Sequence, residues 1–233
     1  MQVYRRLIVT LLAPMVCSIL FTLASTSVSA QLRVDRMVVV LDNELSNRAD
    51  FELFNSSDST VYISNKLFEV LNPHAAAERV ELTDPRQSPL LATPRDLVLG
   101  PNDRRLVRVF TTSLAGDVDR VFRMTVTPQP DNFEPRGSGV QVVVGYDLLI
   151  IQPPMVPEIA FDVARSGDVL EISNFGNTFV YFDRIEYCTA TGECETVGAR
   201  RVYAGGSDRL DLNGAASVRL RYRRGETTET IER

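Results

Sequence analysis

From Gln31 onward the hydrophobic positions alternate with polar ones or form short unbroken runs, and the 3.6-residue spacing of an amphipathic helix is almost absent. Leu32 to Leu41 is rich in β-branched residues and ends at Asp42-Asn43. Phe51 to Phe54 alternates and stops at Asn55 to Ser59; Val61 to Ile63 and Lys66 to Leu71 follow, until Asn72-Pro73 breaks the run. Arg79 to Leu82, Leu97 to Leu99, Arg105 to Phe110, Arg120 to Val126 and Val140 to Ile151 complete the first half. Each run is short and bounded by Gly, Pro, Asn, Asp or Ser, the punctuation of strands and turns. The rhythm predicts an all-β fold, a sandwich of immunoglobulin type, with a closed barrel as the competing architecture.

Gln152 to Pro157 holds three prolines, which cannot continue a strand ladder and favour a stiff, extended connector. Beyond it the pattern resumes at Glu158 to Val163, Val169 to Ser173, Phe179 to Cys188, Cys194 to Val197, Arg200 to Tyr203 and Ser217 to Tyr222. The expected division is therefore a leader over residues 1–30, a first immunoglobulin-like domain over 31–152 and a second over 153–233. No helix longer than a turn or two is expected, and Gly225 to Arg233 is polar enough to fray.

The leader changes the picture of where the chain works. Met1 to Arg6 carries two arginines and no acid, Leu7 to Ala24 is almost wholly apolar, and Ser25 to Ala30 supplies small residues for cleavage near Ala30. These are the parts of a secretory signal, with an uncleaved anchor as the alternative for so long an apolar run. Cys17 leaves with the signal. Cys188 and Cys194 remain, flanking a turn with Gly192 near its tip; on an exported chain this spacing reads as a hairpin disulfide and not as a Cys-x-x-Cys redox centre. So short a closed loop adds little stability by chain entropy.

Loss of Arg5 and Arg6 takes the net charge from −5 to −7, so the basic footprint of a nucleic-acid-binding protein is absent. The catalytic inventory is thin. His74 is the single histidine and sits in the turn-like Asn72-Pro73-His74, where a solvated side chain is the ordinary reading. No metal-ligand cluster, calcium loop, nucleophile elbow or phosphate-cradling loop occurs. No metal, cofactor or catalytic residue is assigned, and the chain is read as a binding protein, not an enzyme.

One segment departs from a half-buried strand. In Val140 to Ile151 the even positions read Val140, Val142, Val144, Tyr146, Leu148 and Ile150, without interruption. The odd positions include Val143, Leu149 and Ile151 but are broken by Gln141, Gly145 and Asp147. Both faces ask for burial. Either the strand is central or covered by a neighbouring domain, or it is an edge that lends its side chains and ladder to another protein.

The ordered set of these features resembles the periplasmic pilus chaperones of the chaperone–usher pathway over essentially the whole mature chain. The residues carrying it are Val40-Leu41-Asp42; Leu53-Phe54-Asn55; Ser88-Pro89 and Thr93-Pro94; Leu97 to Pro101 before Arg105 to Val109; Val121 to Val126; Val140 to Ile151 running into Gln152-Pro153; and Asn174 to Asn177. Val144 to Ile151 is similar to the divergent, archaic branch. The resemblance implies two immunoglobulin-like domains set at an angle, in the periplasm. It implies that the last strand of the first domain fills the gap in pilus or fimbrial subunits lacking their own final strand, without nucleotide, and that subunits pass to an outer-membrane usher. The subunit-binding strand is then Val140, Val142, Val144, Tyr146 and Leu148, with the first three donated. The loop Thr127 to Gly139 is expected to be mobile until a partner arrives, and an exposed apolar edge favours self-association of the free protein.

The sequence also departs from that pattern. Better-known members grip the subunit carboxylate with an arginine and a lysine; by alignment those positions are Val38 and Leu148, which bind no anion. Arg36, Arg108 and Arg123 are the substitutes the chain offers, although a solvated or internally paired side chain is the more ordinary reading of each. An interdomain ion pair implied by the fold retains Arg108 and Asp119, with Gln152 in place of a third member; these two are also readable as surface charges. The function alternative is a client-free immunoglobulin-like structural or adhesive envelope protein, with the apolar strand buried in its own fold.

Overall fold

The computed structural model describes residues 32–41, 47–129, 144–224 and 227–233, and the strands below come from these. The expected leader, Val140 and Val142, and most of the loop before them lie outside the described residues. Among the described residues there is no helix, and all regular structure is strand.

The first half contributes β1 (Leu32–Val34), β2 (Val38–Val40), β3 (Arg48–Asn55), β4 (Val61–Leu71), β5 (Glu78–Glu81), β6 (Leu90–Thr93), β7 (Asp96–Leu99), β8 (Arg104–Thr111), β9 (Arg120–Gln129) and β10 (Tyr146–Gln152). They form a four-stranded sheet in the order β1-β3-β8-β6 and a six-stranded sheet in the order β2-β10-β9-β4-β5, with β7 also on β4. Alternation decides which residues enter the space between the sheets: Phe51 and Leu53 of β3, Val107 and Val109 of β8, Met124 and Val126 of β9, and Leu148 and Ile150 of β10 form one core.

The second half contributes β11 (Phe161–Ser166), β12 (Val169–Asn174), β13 (Val180–Thr189), β14 (Cys194–Thr196), β15 (Arg200–Val202), β16 (Ser207–Asp211), β17 (Ala215–Arg224) and β18 (Thr227–Glu232). A three-stranded sheet, β11-β12-β16, faces a five-stranded one, β14-β13-β17-β18 with β15 also on β13. Leu170, Ile172, Phe182, Ile185, Val218 and Leu220 fill the second core. Phe161 meets Phe182 edge-on at 5.4 Å and Tyr222 at 4.8 Å, arrangements that align ring edges with ring faces. Both halves are thus sandwiches, and neither sheet system closes into a barrel.

A matching corner closes a strand in each sandwich. The Asn55 Nδ2 donates to the carbonyls of Ser59, Leu99 and Gly100, and its Oδ1 accepts the Ser57 amide. The Asn174 Nδ2 donates to the carbonyls of Thr178 and Val202, and its Oδ1 accepts the Gly176 amide. Both asparagines are buried and fully used, as a buried amide must be. The Cys188–Cys194 disulfide links β13 to β14 across a register pair, pinning the predicted hairpin.

Four expectations are corrected. Leu32 to Leu41 is two strands: Asp35 accepts the Glu52 amide, and the chain then crosses from one sheet to the other. The two runs at Val61 to Leu71 are one strand, because Ser64 and Asn65 continue the ladder opposite Thr127 and Val126. Short β6 and β16, on β8 and β12, carry too few alternations to stand out. The polar C-terminus does not fray but forms β18, paired with β17 from Arg219↔Glu232 to Arg224↔Thr227.

Candidate functional site

β10 pairs with β9 along its whole length, from Tyr146↔Val126 to Gln152↔Arg120. Its other edge pairs with β2 only over Leu149↔Val38 to Ile151↔Val40, in parallel. The Leu149 amide donates to the Met37 carbonyl and the Leu41 amide to the Ile151 carbonyl, closing that half. Among the described residues, no strand pairs with this edge over Tyr146 to Leu148. An open ladder edge can accept a further strand.

The side chains of β10 have three destinations. Leu148 and Ile150 are fully buried in the first core, and Tyr146 packs against it with its hydroxyl donating to the Leu32 carbonyl. Leu149 and Ile151 face the other way and join Val121, Val70, Phe179 and Tyr203 in a cluster that spans the two sandwiches. Val144, just ahead of the strand, is 45% exposed. Gly145 lies close to β9: a Cβ there would sit 3.1 Å from the Val126 carbonyl oxygen, so this position favours glycine. Of the five residues assigned to partner binding, Leu148 is therefore turned inward and Tyr146 is half-buried. Val144 is exposed, and Val140 and Val142 are outside the described residues.

The three candidate carboxylate anchors are not brought together. Arg108 is on the four-stranded sheet and holds Asp50 in two parallel hydrogen bonds of 2.7 Å. That guanidinium keeps the Asp50 carboxyl below its usual range. Arg36 pairs with its neighbour Asp35 at 2.8 Å. Arg123 is on β9, directly opposite Leu149, and reaches Asp147 of β10 at 3.6 Å. Arg79, which the sequence gave no reason to select, makes the shorter contact with the same Asp147 oxygen, 2.7 Å. Asp147 Oδ1 is buried and has no hydrogen-bond partner. Two guanidinium groups thus converge on a carboxylate that the exposed-edge strand itself supplies. The β10 residue opposite Val38 is Leu149, and Leu148 faces the first core.

The expected Arg108–Asp119 pair does not form. Asp119, between β8 and β9, instead accepts the Thr178 hydroxyl at 2.9 Å and the Phe179 amide, and its own amide donates to the Asn177 carbonyl at 3.1 Å. Burial pushes its carboxyl up to about 6, although the two hydrogen bonds and the Arg201 guanidinium act to lower it. Arg201 is held over the Tyr181 and Phe179 rings, 4.9 and 5.2 Å from their centroids. Gln152 is buried and donates weakly to Thr111 Oγ1 and the Ser113 carbonyl at 3.4 and 3.3 Å. The Glu69–Arg120 pair, 2.7 Å, lines a cleft of about 490 Å³ between the sandwiches. His74 lines the same cleft, and its Cβ is so near Gly206 that a side chain there would strike it.

No protein-family model and no curated protein sequence matches the chain. Solved structures do. The SafB chaperone, in complex with the SafA pilin of Salmonella enterica, superposes with a TM-score of 0.64 at 13% identity, covering 89% of this chain and 98% of its own. The CsuC–CsuE chaperone–tip adhesion subunit pre-assembly complex, from archaic chaperone–usher Csu pili of Acinetobacter baumannii, gives 0.59 at 13%, covering 87% and 98%. The CupB2 chaperone of Pseudomonas aeruginosa gives 0.58 at 16%, covering 86% and 99%. Likeness over nearly the full length of each, at such low identity, is a likeness of fold: two β-sandwiches joined in the same order.

Proposed function

We propose, from the fold this chain shares with the chaperone–usher fimbrial chaperones, that it is a periplasmic chaperone for pilus or fimbrial subunits and not an enzyme. Residues 31–152 and 153–233 are its two domains, and the leader is removed near Ala30. The chaperone binds a subunit that lacks a final strand, supplies that strand from the segment before and including the start of β10, and passes the subunit to an outer-membrane usher. The observation that carries this reading is the half-paired strand: β10 is held by β9 throughout but leaves the edge over Tyr146 to Leu148 open among the described residues. A subunit strand added there continues the ladder. The even side chains ahead of Tyr146, which are Val144, Val142 and Val140, would enter the subunit on the side that Tyr146, Leu148 and Ile150 turn to the first core.

The anchor for the subunit carboxylate is Arg123, assisted by Arg79. Both lie on the six-stranded sheet that carries the open edge, whereas Arg108 lies on the other sheet in a two-bond pair. Asp147 occupies them in the free protein, and an incoming carboxylate competes with it. Arg36 is solvent-facing beside Asp35 and is left aside.

The test is periplasmic co-expression with a subunit encoded beside the chain, affinity capture and mass spectrometry. A one-to-one complex is expected, and Val144→Asp should abolish it while leaving the melting temperature unchanged, because Val144 is already half in water. Capture that survives Val144→Asp, or no capture of any subunit, rejects the donated strand. The second reading, a client-free envelope protein, is favoured by one observation: Leu148 to Ile151 are all buried at home.

A further inference from the structure

The first sandwich is not filled everywhere. Beside the short edge strand β6 a cavity of about 250 Å³ opens at the margin of the sandwich. Its walls are Leu67 of β4, Leu82 after β5, Leu91 of β6 and Phe110 of β8, and Arg95 is at its margin. The cause is local. β6 ends the four-stranded sheet after four residues, and its wall residue Ala92 offers a methyl group where a larger side chain would fill the gap. Asn65 fixes the mouth: its amide proton goes to the Arg95 carbonyl at 2.9 Å and its Nδ2 to the Pro94 carbonyl at 3.1 Å. Its Oδ1 is a buried acceptor without a partner, an atom that a carboxylate cannot satisfy, so an anionic head belongs at Arg95 and not beside Asn65. The Arg95 guanidinium is exposed and has no ion pair with any described residue.

We propose that this cavity is a binding site for a small amphipathic carboxylate, with its apolar body in the cavity beside β6 and its charged head on Arg95. The size fits: a cavity of about 150 Å³ takes benzene, and this one has room for a body of roughly eight carbons. The polarity fits too, since six of the lining residues are apolar and the only formal charge among them is positive. The site is separate from the open edge of β10, two strands away along the six-stranded sheet.

Octanoate is the probe, with octylamine as the matched cation, titrated into the mature full chain and followed by amide chemical shifts. The expected result is saturable shifts centred on Leu67, Leu91 to Arg95 and Phe110, and none with octylamine. Arg95→Gln should weaken octanoate about threefold, the size of an exposed charge contact, and Ala92→Phe should abolish binding by filling the cavity. If Ala92→Phe does not fold, Ala92→Leu, which adds three carbons, should still weaken binding. Shifts that never saturate, that centre on exposed apolar residues such as Leu114 and Val156, or that both Ala92 variants leave unchanged, overturn the proposal.

Discussion

Replacing Asp119 by Asn isolates the charge buried between the two sandwiches. The side chain keeps an acceptor for the Phe179 amide, and the new amide can donate to Thr178 Oγ1, so shape and most hydrogen bonding survive. What is lost is the titration. The folded carboxyl has its pKa raised to about 6 from 3.8, chiefly by burial. A group with a raised folded pKa contributes stability that is complete below its unfolded pKa and is lost as pH rises through the folded one. Wild-type protein should therefore lose stability from this group between about pH 4 and pH 6.5. Two pKa units correspond to at most about 3 kcal/mol, and partial exposure of the carboxyl reduces that to about 2 kcal/mol. The assay is urea unfolding of wild type and Asp119→Asn at half-unit steps from pH 4 to pH 7.5. Other carboxylates titrate in both proteins and cancel in the difference. That difference should move in favour of the Asn variant by about 2 kcal/mol across the window. A flat difference would refute the reasoning, because it would mean that Asp119 is no more desolvated folded than unfolded.

Asn55→Ala and Asn174→Ala should each cost about 2–4 kcal/mol in urea unfolding, since each strands several buried backbone groups at its corner. Cys188→Ser with Cys194→Ser should cost no more than about 2 kcal/mol, because the loop it closes has a sequence separation of only 6, and subunit capture should be unchanged. Leu148→Ala should lower stability by about 2–5 kcal/mol through a cavity in the first core, a loss visible in the melting temperature without any partner. Asp147→Asn removes the charge that holds Arg79 and Arg123, and pull-down at limiting subunit should show tighter capture, reversed by Arg123→Gln in the same background.

Much of the fold is legible in the sequence because alternation reports burial. Phe51 and Leu53, or Ile172 against Glu171, declare a face with no tertiary information. The pattern fails where tertiary contacts override it. Asp35 and the crossing of the chain between sheets leave no mark in the β-branched run Leu32 to Leu41, since each half is still a good strand. β18 lies at the sheet margin and puts only Ile231 against the second core, and so polar a strand reads as a tail. The candidate site was legible only in part. The apolar doubling of Val140 to Ile151 singled out β10, whose two faces the structure buries within the protein over Leu148 to Ile151. The pairing of Arg79 with Asp147 could not be read, because Arg79 comes from a strand 68 residues away, and no local spacing connects the two. The Asp119 contacts are likewise tertiary: Thr178 and Phe179 are ordinary residues until the second sandwich brings them to a buried carboxylate.

For the described part of the segment, the doubling follows the first of its two readings, a strand covered within its own protein. Within Tyr146 to Gln152 both faces are spoken for by the protein: Leu148 and Ile150 fill the first core, while Leu149 and Ile151 fill the cluster between sandwiches. Apolarity on two faces there follows from being the last strand of one sandwich and the first contact of the next. It would be present with or without a client, so it is no evidence for one. The evidence bearing on a client lies in what that burial leaves over. One edge of the strand is unpaired over Tyr146 to Leu148 among the described residues, and Val144 is half in water just ahead of it. The same anchoring that removes Leu148 from the contact surface makes β10 a rigid base from which the preceding residues can be presented in register. A strand fixed at one end by two cores loses less freedom when its other end is taken up by a partner than a free segment would. On this argument, loosening the base with Leu148→Ala should weaken capture as well as stability, whereas Val144→Asp should weaken capture alone.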